Sequence, residues 1–398
     1  MKDVVVLLID SLDRYPFMLR IANALRGKFD FIFVTTEPLA AYFLRQKGES
    51  VTYLNRGYRT IKPTESDYSL SSRAIETLNG EISPEMAARD LAALRAALTR
   101  VYQEKKVTRC VAWNGQQLIG RASRAVCKEL GIATAFIEIA NLPDKMFSDP
   151  QGVNAESDLF ANVDQLDGFA EVSEADHAAW MQGYEAYKSK PLPQAKSKSL
   201  RRIISATNHF AKAATGGLCR RRMSQLSLSR GKATQKLTEH LTAEEDLPQD
   251  FIFLPLQVTA DTQLKLHSEI NNLGAIDLGM KLAKESGLAL VVKVHPAEVD
   301  GDAIDTILRL QQQEGFILTN ANTTKLIRGS ARVITINSTV GLEALMYGRP
   351  LTVLGRALYR DFDQVRVRKY IHGFLVSDVD YFGSAEISSS AAAQLIGC

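Results

Sequence analysis

Lys293-Val294-His295-Pro296 and, further along, Ile336-Asn337-Ser338-Thr339-Val340-Gly341-Leu342-Glu343-Ala344-Leu345 decide how this chain of 398 residues reads. Both segments leave apolar, strand-like runs, Leu288 to Val292 and Ala331 to Ile336. Both put polar groups at a strand's carboxyl end, where open α/β sheets bind ligands. The second then opens a helix whose unpaired N–H groups and positive dipole end suit a phosphate. Together they point to a nucleotide-sugar site.

The surrounding pattern fits. Before these segments come a strand-like run at Phe251 to Leu254 and a helical one at Gly274 to Ser286; among and after them lie a helix at Ile304 to Gln313, Phe316 to Leu318, a helix from Gly341 to Tyr347 and Pro350 to Leu354. The first half alternates likewise: Val4 to Ile9, a helix at Tyr15 to Leu25, Phe29 to Val34, a helix at Leu39 to Arg45, and Val51 to Leu54. A helical stretch through Met86 to Lys105 precedes Cys110 to Trp113, a helix at Arg121 to Leu130, and Ala133 to Ile137. The expected fold class is therefore α/β, with two Rossmann-like domains facing across a cleft in the GT-B manner. The boundaries read 1–185 for an acceptor-side domain, 186–248 for a basic polar connection, and 249–398 for a nucleotide-sugar-binding domain with its tail.

Length and composition agree with two ordinary domains, each able to bury its own core. The four cysteines, Cys110, Cys127, Cys219 and Cys398, lack metal-ligand spacing and read as free thiols of a reduced compartment. The run Val4 to Ile9 is too short for a signal peptide and reads as a buried strand. No run approaches the roughly eighteen apolar residues that span a bilayer. Net charge is +3, yet Lys188 to Lys236 holds 13 Lys or Arg and no Asp or Glu, which leaves −10 on the remainder. That asymmetry fits either a solvated loop or contact with an anionic membrane surface. Nucleic acid fits poorly, because Phe210 has no interleaved aromatic companions.

Proline fixes its own φ and holds the preceding residue extended, so His295 should sit at a strand end with its imidazole aimed outward, with Pro296 fixing it there and Lys293 adding charge on the same face. A turn histidine satisfied within the chain is the other reading. In Asn337, Ser338, Thr339 and Gly341, hydroxyls and main-chain N–H groups gather at a helix start, and Gly341 leaves room for a ligand. Glu343 reads either as an acceptor for ribose hydroxyls or as a first-turn carboxylate on the helix dipole.

Gln257 and Asp261 follow the Phe251 to Leu254 run. Asp261 reads as a carboxylate for an anomeric carbon, or as the cap of a helix from Gln263. Glu138 ends the Ala133 to Ile137 run, where partial desolvation should raise it and suit it to acid/base work on a hydroxyl; pairing with Lys145 is the structural alternative. Asp10, Asn114, Asn141 and Asp149 fall at neighbouring strand ends on the acceptor side. Asp361-Phe362-Asp363 and Asp378-Val379-Asp380 have the D-x-D form, but neither follows a convincing buried strand, and both read as surface charges.

Six segments in this order resemble the bacterial capsule polysaccharide biosynthesis family, which includes retaining β-Kdo glycosyltransferases. They are W-N-G at 113–115, E-I-A-N-L-P at 138–143, D-P-Q-G-V-N at 149–154, P-L-Q-V-T-A-D-T-Q at 255–263, K-V-H-P at 293–296 and N-S-T-V-G-L-E-A at 337–344. The resemblance implies a transferase that takes Kdo from CMP-Kdo without a metal ion or other cofactor and passes it to a lipid-linked or oligosaccharide acceptor. It implies that His295, Pro296, Ser338, Thr339 and Glu343 hold the nucleotide, that Asp261 is the nucleophile of a double displacement, and that Glu138 is the acid/base. A cytoplasmic place, or a peripheral one at the inner face of the membrane, goes with it. A nucleotide-sugar epimerase of the same build and a non-catalytic export or binding protein are the competing readings.

Overall fold

The computed structural model describes residues 2–58, 61–188, 198–221 and 237–398. The first block runs β1 (Asp3–Ile9), α1 (Tyr15–Leu25), β2 (Phe29–Thr35), α2 (Pro38–Gln46) and β3 (Val51–Tyr53). Three helices, α3 (Glu65–Ser72), α4 (Ile75–Leu78) and α5 (Pro84–Glu104), lead to β4 (Val107–Trp113), α6 (Leu118–Leu130), β5 (Ala133–Ile139) and β6 (Met146–Asp149). Then come α7 (Asp158–Ala161), α8 (Glu174–Lys188) and α9 (Lys198–Ala214). The second block runs β7 (Phe251–Pro255), α10 (Thr262–His267), α11 (Asn272–Ser286), β8 (Ala289–Lys293), α12 (Gly301–Glu314) and β9 (Ile317–Leu318). It continues with α13 (Thr323–Gly329), β10 (Arg332–Thr335), α14 (Thr339–Met346), β11 (Leu351–Val353) and α15 (Gln364–Lys369); α16 (Ser389–Leu395) closes the chain.

Two sheets result. The first has the order β3-β2-β1-β4-β5-β6, all parallel except for β6, which pairs antiparallel with β5. The second has the order β11-β10-β7-β8-β9 and is parallel throughout. Both are Rossmann-like, with helices as crossovers. Central strands are apolar along their length because helices cover both faces: β1 is buried from Val5 to Ile9 and β7 from Phe251 to Pro255.

The chain divides into two compact units. One comprises Met1–Ala161, Val172–Gln225 and Ile371–Cys398; the other comprises Asn162–Glu171 and Leu226–Tyr370. The division at 249–398 is corrected accordingly, since the last stretch belongs to the first unit. The physical reason is a core: Val376, Val379, Ile387, Ala392, Leu395 and Ile396 are buried with Val5, Leu7, Phe17 and Ile21, and α16 packs on α1. Val376 also bridges Met146 beside β6.

The basic connection lies partly outside the described residues. Its described part includes a helix: α9 sits in the first unit, with Asn208 and Lys212 buried. All four cysteines are free thiols. Among the described residues no helix is long and apolar enough to cross a membrane. Of the D-x-D segments, Asp363 caps α15 through Arg366 N, and Asp380 accepts from Phe382 N in a turn.

Candidate functional site

In the first sheet the strand order reverses between β1 and β4, and the carboxyl ends of those strands form the switch point. Asp10 follows β1, is buried, and pairs with Arg14. Burial raises its carboxyl above the usual range, and Arg14 pulls it partly back. The Arg14 guanidinium lies 4.8 Å over the Trp113 ring at the end of β4. Tyr381 packs on the same ring at a tilt of 48°, centroids 4.8 Å apart, and burial pushes its hydroxyl up. Sequence reasoning missed Arg14 and Tyr381; the latter comes from the returning C-terminal segment, which no local pattern assigns to this sheet.

Glu138, on β5, is held by two asparagines. Its Oε1 accepts from Asn114 Nδ2 at 3.4 Å and its Oε2 from Asn154 Nδ2 at 3.3 Å. Both asparagines are left-handed, with φ of 34° and 52°, a conformation that Asn tolerates better than most residues. Asn114 Oδ1 also accepts from Gln116 N at 3.1 Å, which fixes the amide. At Gly115 φ is 71°, and a Cβ would fall 2.5 Å from the Phe136 ring, so only glycine lets this turn lie against β5. Asn154 was visible in the D-P-Q-G-V-N segment, but nothing local marked it as a partner of Glu138. Lys145, the alternative partner, donates to Ser377 Oγ at 2.7 Å.

The turn bearing Asn154 is anchored two residues on. Glu156 is surrounded by Arg73 at 3.6 Å, Arg121 at 3.3 Å and Arg124 at 3.1 Å. Asn141 is an exposed turn residue with φ of 57°. Asp149 is corrected from the acceptor side to a structural role. Its oxygens accept the N–H groups of Gln151, Gly152, Asp158 and Leu159 at 2.8 to 3.1 Å, folding the loop that carries Asn154.

In the second sheet the reversal lies between β7 and β10. Gln257, buried after β7, donates Nε2 to Asn337 Oδ1 at 2.9 Å and to Asp261 Oδ2 at 3.1 Å, while its Oε1 accepts from Asn337 N at 3.2 Å. Asn337 Nδ2 donates to Gln263 O at 2.9 Å. Asp261 is the N-cap of α10, its Oδ1 accepting from Gln263 N at 2.8 Å. The Asn272 side-chain amide clasps the Gln257 main chain, its Nδ2 donating to Gln257 O at 2.7 Å and its Oδ1 accepting from Gln257 N at 3.2 Å.

His295 Nδ1 accepts from Ala297 N at 3.0 Å, which places the proton of the neutral ring on Nε2. Desolvation lowers the imidazole below its ordinary range, against the pull of Asp261 and Glu298. Pro296 is exposed in the turn that follows. Glu298, another residue the sequence did not flag, is buried and accepts from Thr259 N and Oγ1 at 2.7 and 2.8 Å and from Val299 N and Asp300 N. It fastens the loop after β8 to the loop after β7. Lys293 is corrected: its ammonium donates to Ala321 O at 2.7 Å and Thr323 Oγ1 at 2.9 Å, tying β8 to the start of α13.

Ser338 caps α14, its Oγ accepting from Val340 N at 3.3 Å, and Thr339 is exposed in the first turn. Glu343 is buried one turn in. The reason for Gly341 is corrected as well. A Cβ there would fall 2.5 Å from the Tyr359 ring, and the Tyr359 hydroxyl donates to Ser338 O. The space that Gly341 leaves is filled by the chain itself.

Residues 108–362 match the family described as capsule polysaccharide biosynthesis protein. The chain belongs to that family. The capsule polysaccharide export protein KpsS of Escherichia coli is 30% identical over 145 residues, which are 33% of this chain and 36% of that one. Protein FixF of Sinorhizobium fredii is 34% identical over 128 residues, 30% of each chain. The matches thus span about a third of these curated relatives. Among solved structures, the Thermosulfurimonas dismutans KpsC β-Kdo 2,7 transferase is similar at 12% identity and a TM-score of 0.42, covering 99% of this chain and 98% of that one. Methanocaldococcus jannaschii UDP-GlcNAc 2-epimerase is similar at 12% identity and a TM-score of 0.29, covering 100% and 92%.

Proposed function

We propose that this protein is a glycosyltransferase that moves Kdo from CMP-Kdo to a lipid-linked or oligosaccharide acceptor during capsule or lipopolysaccharide synthesis, with retention, at the inner face of the cytoplasmic membrane. One observation carries the reading. In each unit, residues of separate motifs meet by hydrogen bonds at or beside a topological switch point, Asn114, Glu138 and Asn154 in one, and Gln257 and Asp261 with Asn337 in the other. Open α/β sheets bind ligands there.

In this reading the first turn of α14 and the Nε2–H of His295 receive the donor phosphate, and Glu343 receives the ribose hydroxyls. No metal ion takes part. CMP leaves as Asp261 attacks the anomeric carbon, giving a glycosyl ester. Glu138 then takes the proton of the acceptor hydroxyl as that oxygen displaces the carboxylate, restoring the original configuration.

The test is incubation with CMP-Kdo, with and without a Kdo-accepting oligosaccharide. Transfer predicts CMP release that depends on acceptor, together with a product carrying one more Kdo. Turnover of the donor sugar without acceptor would favour an epimerase; no turnover would favour a binding or export role.

A further inference from the structure

Two turns in the second unit, at the carboxyl ends of the paired strands β7 and β8, carry groups assigned to the donor. After β7 the chain turns from Val258 to Asp261, with Asp261 N donating to Val258 O at 2.8 Å. After β8 it turns from His295 to Glu298, with Glu298 N donating to His295 O at 2.9 Å, and Pro296 stands second in that turn, where proline is favoured. Asp261 closes the first turn and His295 opens the other. The Glu298 carboxylate joins them. Its Oε2 accepts from Thr259 N at 2.7 Å and Thr259 Oγ1 at 2.8 Å, while its Oε1 accepts from Val299 N at 2.8 Å and Asp300 N at 2.9 Å. An ionised carboxylate offers about four acceptor sites, and all are taken.

Glu298 is 4% exposed. Burial alone would raise its carboxyl, yet the N–H groups and the Thr259 hydroxyl hold it below the usual range, so it stays charged where it sits. One oxygen serves its own loop and the other reaches across to the β7 turn. Glutamine cannot do both, because its amide nitrogen donates and would face one of the two donor pairs. Desolvation lowers the His295 imidazole, and Asp261 and Glu298 both oppose that, so the charges of the two turns are within reach of each other. We infer that Glu298 is a positioning residue of the donor site: by clasping Thr259 it sets the spacing of Asp261 from His295, and so the placement of the attacking carboxylate against the departing phosphate. This rests on the reading above, in which Asp261 attacks as CMP leaves. A nucleophile misplaced by about 1 Å loses on the order of 100-fold in rate. CMP alone, held in that reading through His295, α14 and Glu343, asks nothing of Asp261.

The experiment compares wild type, Glu298→Gln, Thr259→Val and Thr259→Ser by CMP affinity in calorimetry, by kcat for acceptor-dependent CMP release from CMP-Kdo, and by the titration of His295 in NMR. Glu298→Gln should lower kcat roughly 100-fold and Thr259→Val roughly tenfold, each with less than about a threefold change in the Kd for CMP. Thr259→Ser keeps the hydroxyl and should recover the rate. Asp261→Asn should lower the His295 pKa by removing a neighbouring negative charge, and should lower it less once Glu298→Gln has parted the turns. An unchanged kcat in Glu298→Gln, a fall in kcat matched by an equal loss of CMP affinity, or an Asp261→Asn shift of equal size in both backgrounds would each overturn the inference. Should Glu298→Gln fail to fold, equal rates for Thr259→Val and Thr259→Ser would overturn it. Wild type that binds CMP but does not turn CMP-Kdo over would sink the transferase reading instead, and the His295 titration would still decide whether Glu298 holds the two turns together.

Discussion

Gln257 and Asn337 exchange two hydrogen bonds across eighty residues of sequence, Nε2 to Oδ1 at 2.9 Å and main-chain N to Oε1 at 3.2 Å. They sit after β7 and β10, the strands between which the second sheet reverses its order. Gln257 also steadies Asp261, so one buried amide sets both the α14 start and the proposed nucleophile.

Gln257→Ala should therefore act on folding and on the donor together. Removing the amide leaves acceptors on Asn337 and Asp261 without their donor, at a cost of roughly 1–3 kcal/mol. Urea denaturation should show that loss. The KM for CMP-Kdo should rise while the KM for acceptor stays as it was.

Gly341→Ala tests the close packing on Tyr359. A methyl group 2.5 Å from the ring cannot be accommodated without movement, and overpacking of this kind costs roughly 1–3 kcal/mol. Replacing Tyr359 by leucine alone also destabilises, because a buried ring and its bond to Ser338 O are lost. In the double variant the two costs should not add, since the smaller side chain admits the methyl. Strict additivity in thermal unfolding would show that Gly341 is needed for another reason.

Glu76 and His372 should tilt stability in opposite directions. Burial lifts Glu76 from 4.5 to about 7, so the folded chain holds a proton that the unfolded chain has released. Stability from this group is full below 4.5 and declines as pH rises through 7, by up to a few kcal/mol. Glu76→Gln keeps an oxygen for Leu118 N, whose bonds to the carboxylate are 3.1 and 3.3 Å, and should abolish the decline.

His372 is pushed from 6.5 down to about 4 by burial, by His177 and by Lys145. Its Nε2 lies 3.1 Å from His177 Nδ1, an arrangement that needs a ring without an extra proton. Its contribution is full above 6.5 and is lost as pH falls towards 4. Over the shared window the two slopes partly cancel in wild type. His372→Asn should therefore expose a decline with rising pH, and Glu76→Gln an increase. Urea midpoints at pH 4.5, 5.5 and 7 check both, on the scale of the ordinary and shifted values.

Much of this was readable from the chain. Apolar runs of strand length between helical stretches, at Val4 to Ile9 and Phe251 to Leu254, located the central strands, because strands covered on both faces cannot be polar. The return of residues 371–398 to the first unit was not readable. Val376, Ile387 and Leu395 are ordinary apolar residues, and only packing assigns them to one core rather than another. Asp149 and Lys293 looked available because a strand-end charge often is. The structure spends them on main-chain N–H groups and on Ala321 O, partners that a sequence pattern does not display.

The most direct measurement is the mass of the protein after brief exposure to CMP-Kdo without acceptor, with the modified peptide mapped. A retaining Kdo transferase of this kind should carry one Kdo on Asp261, the adduct should vanish when acceptor is added, and Asp261→Asn should prevent it. An unmodified protein that also releases no CMP when acceptor is supplied would contradict the account.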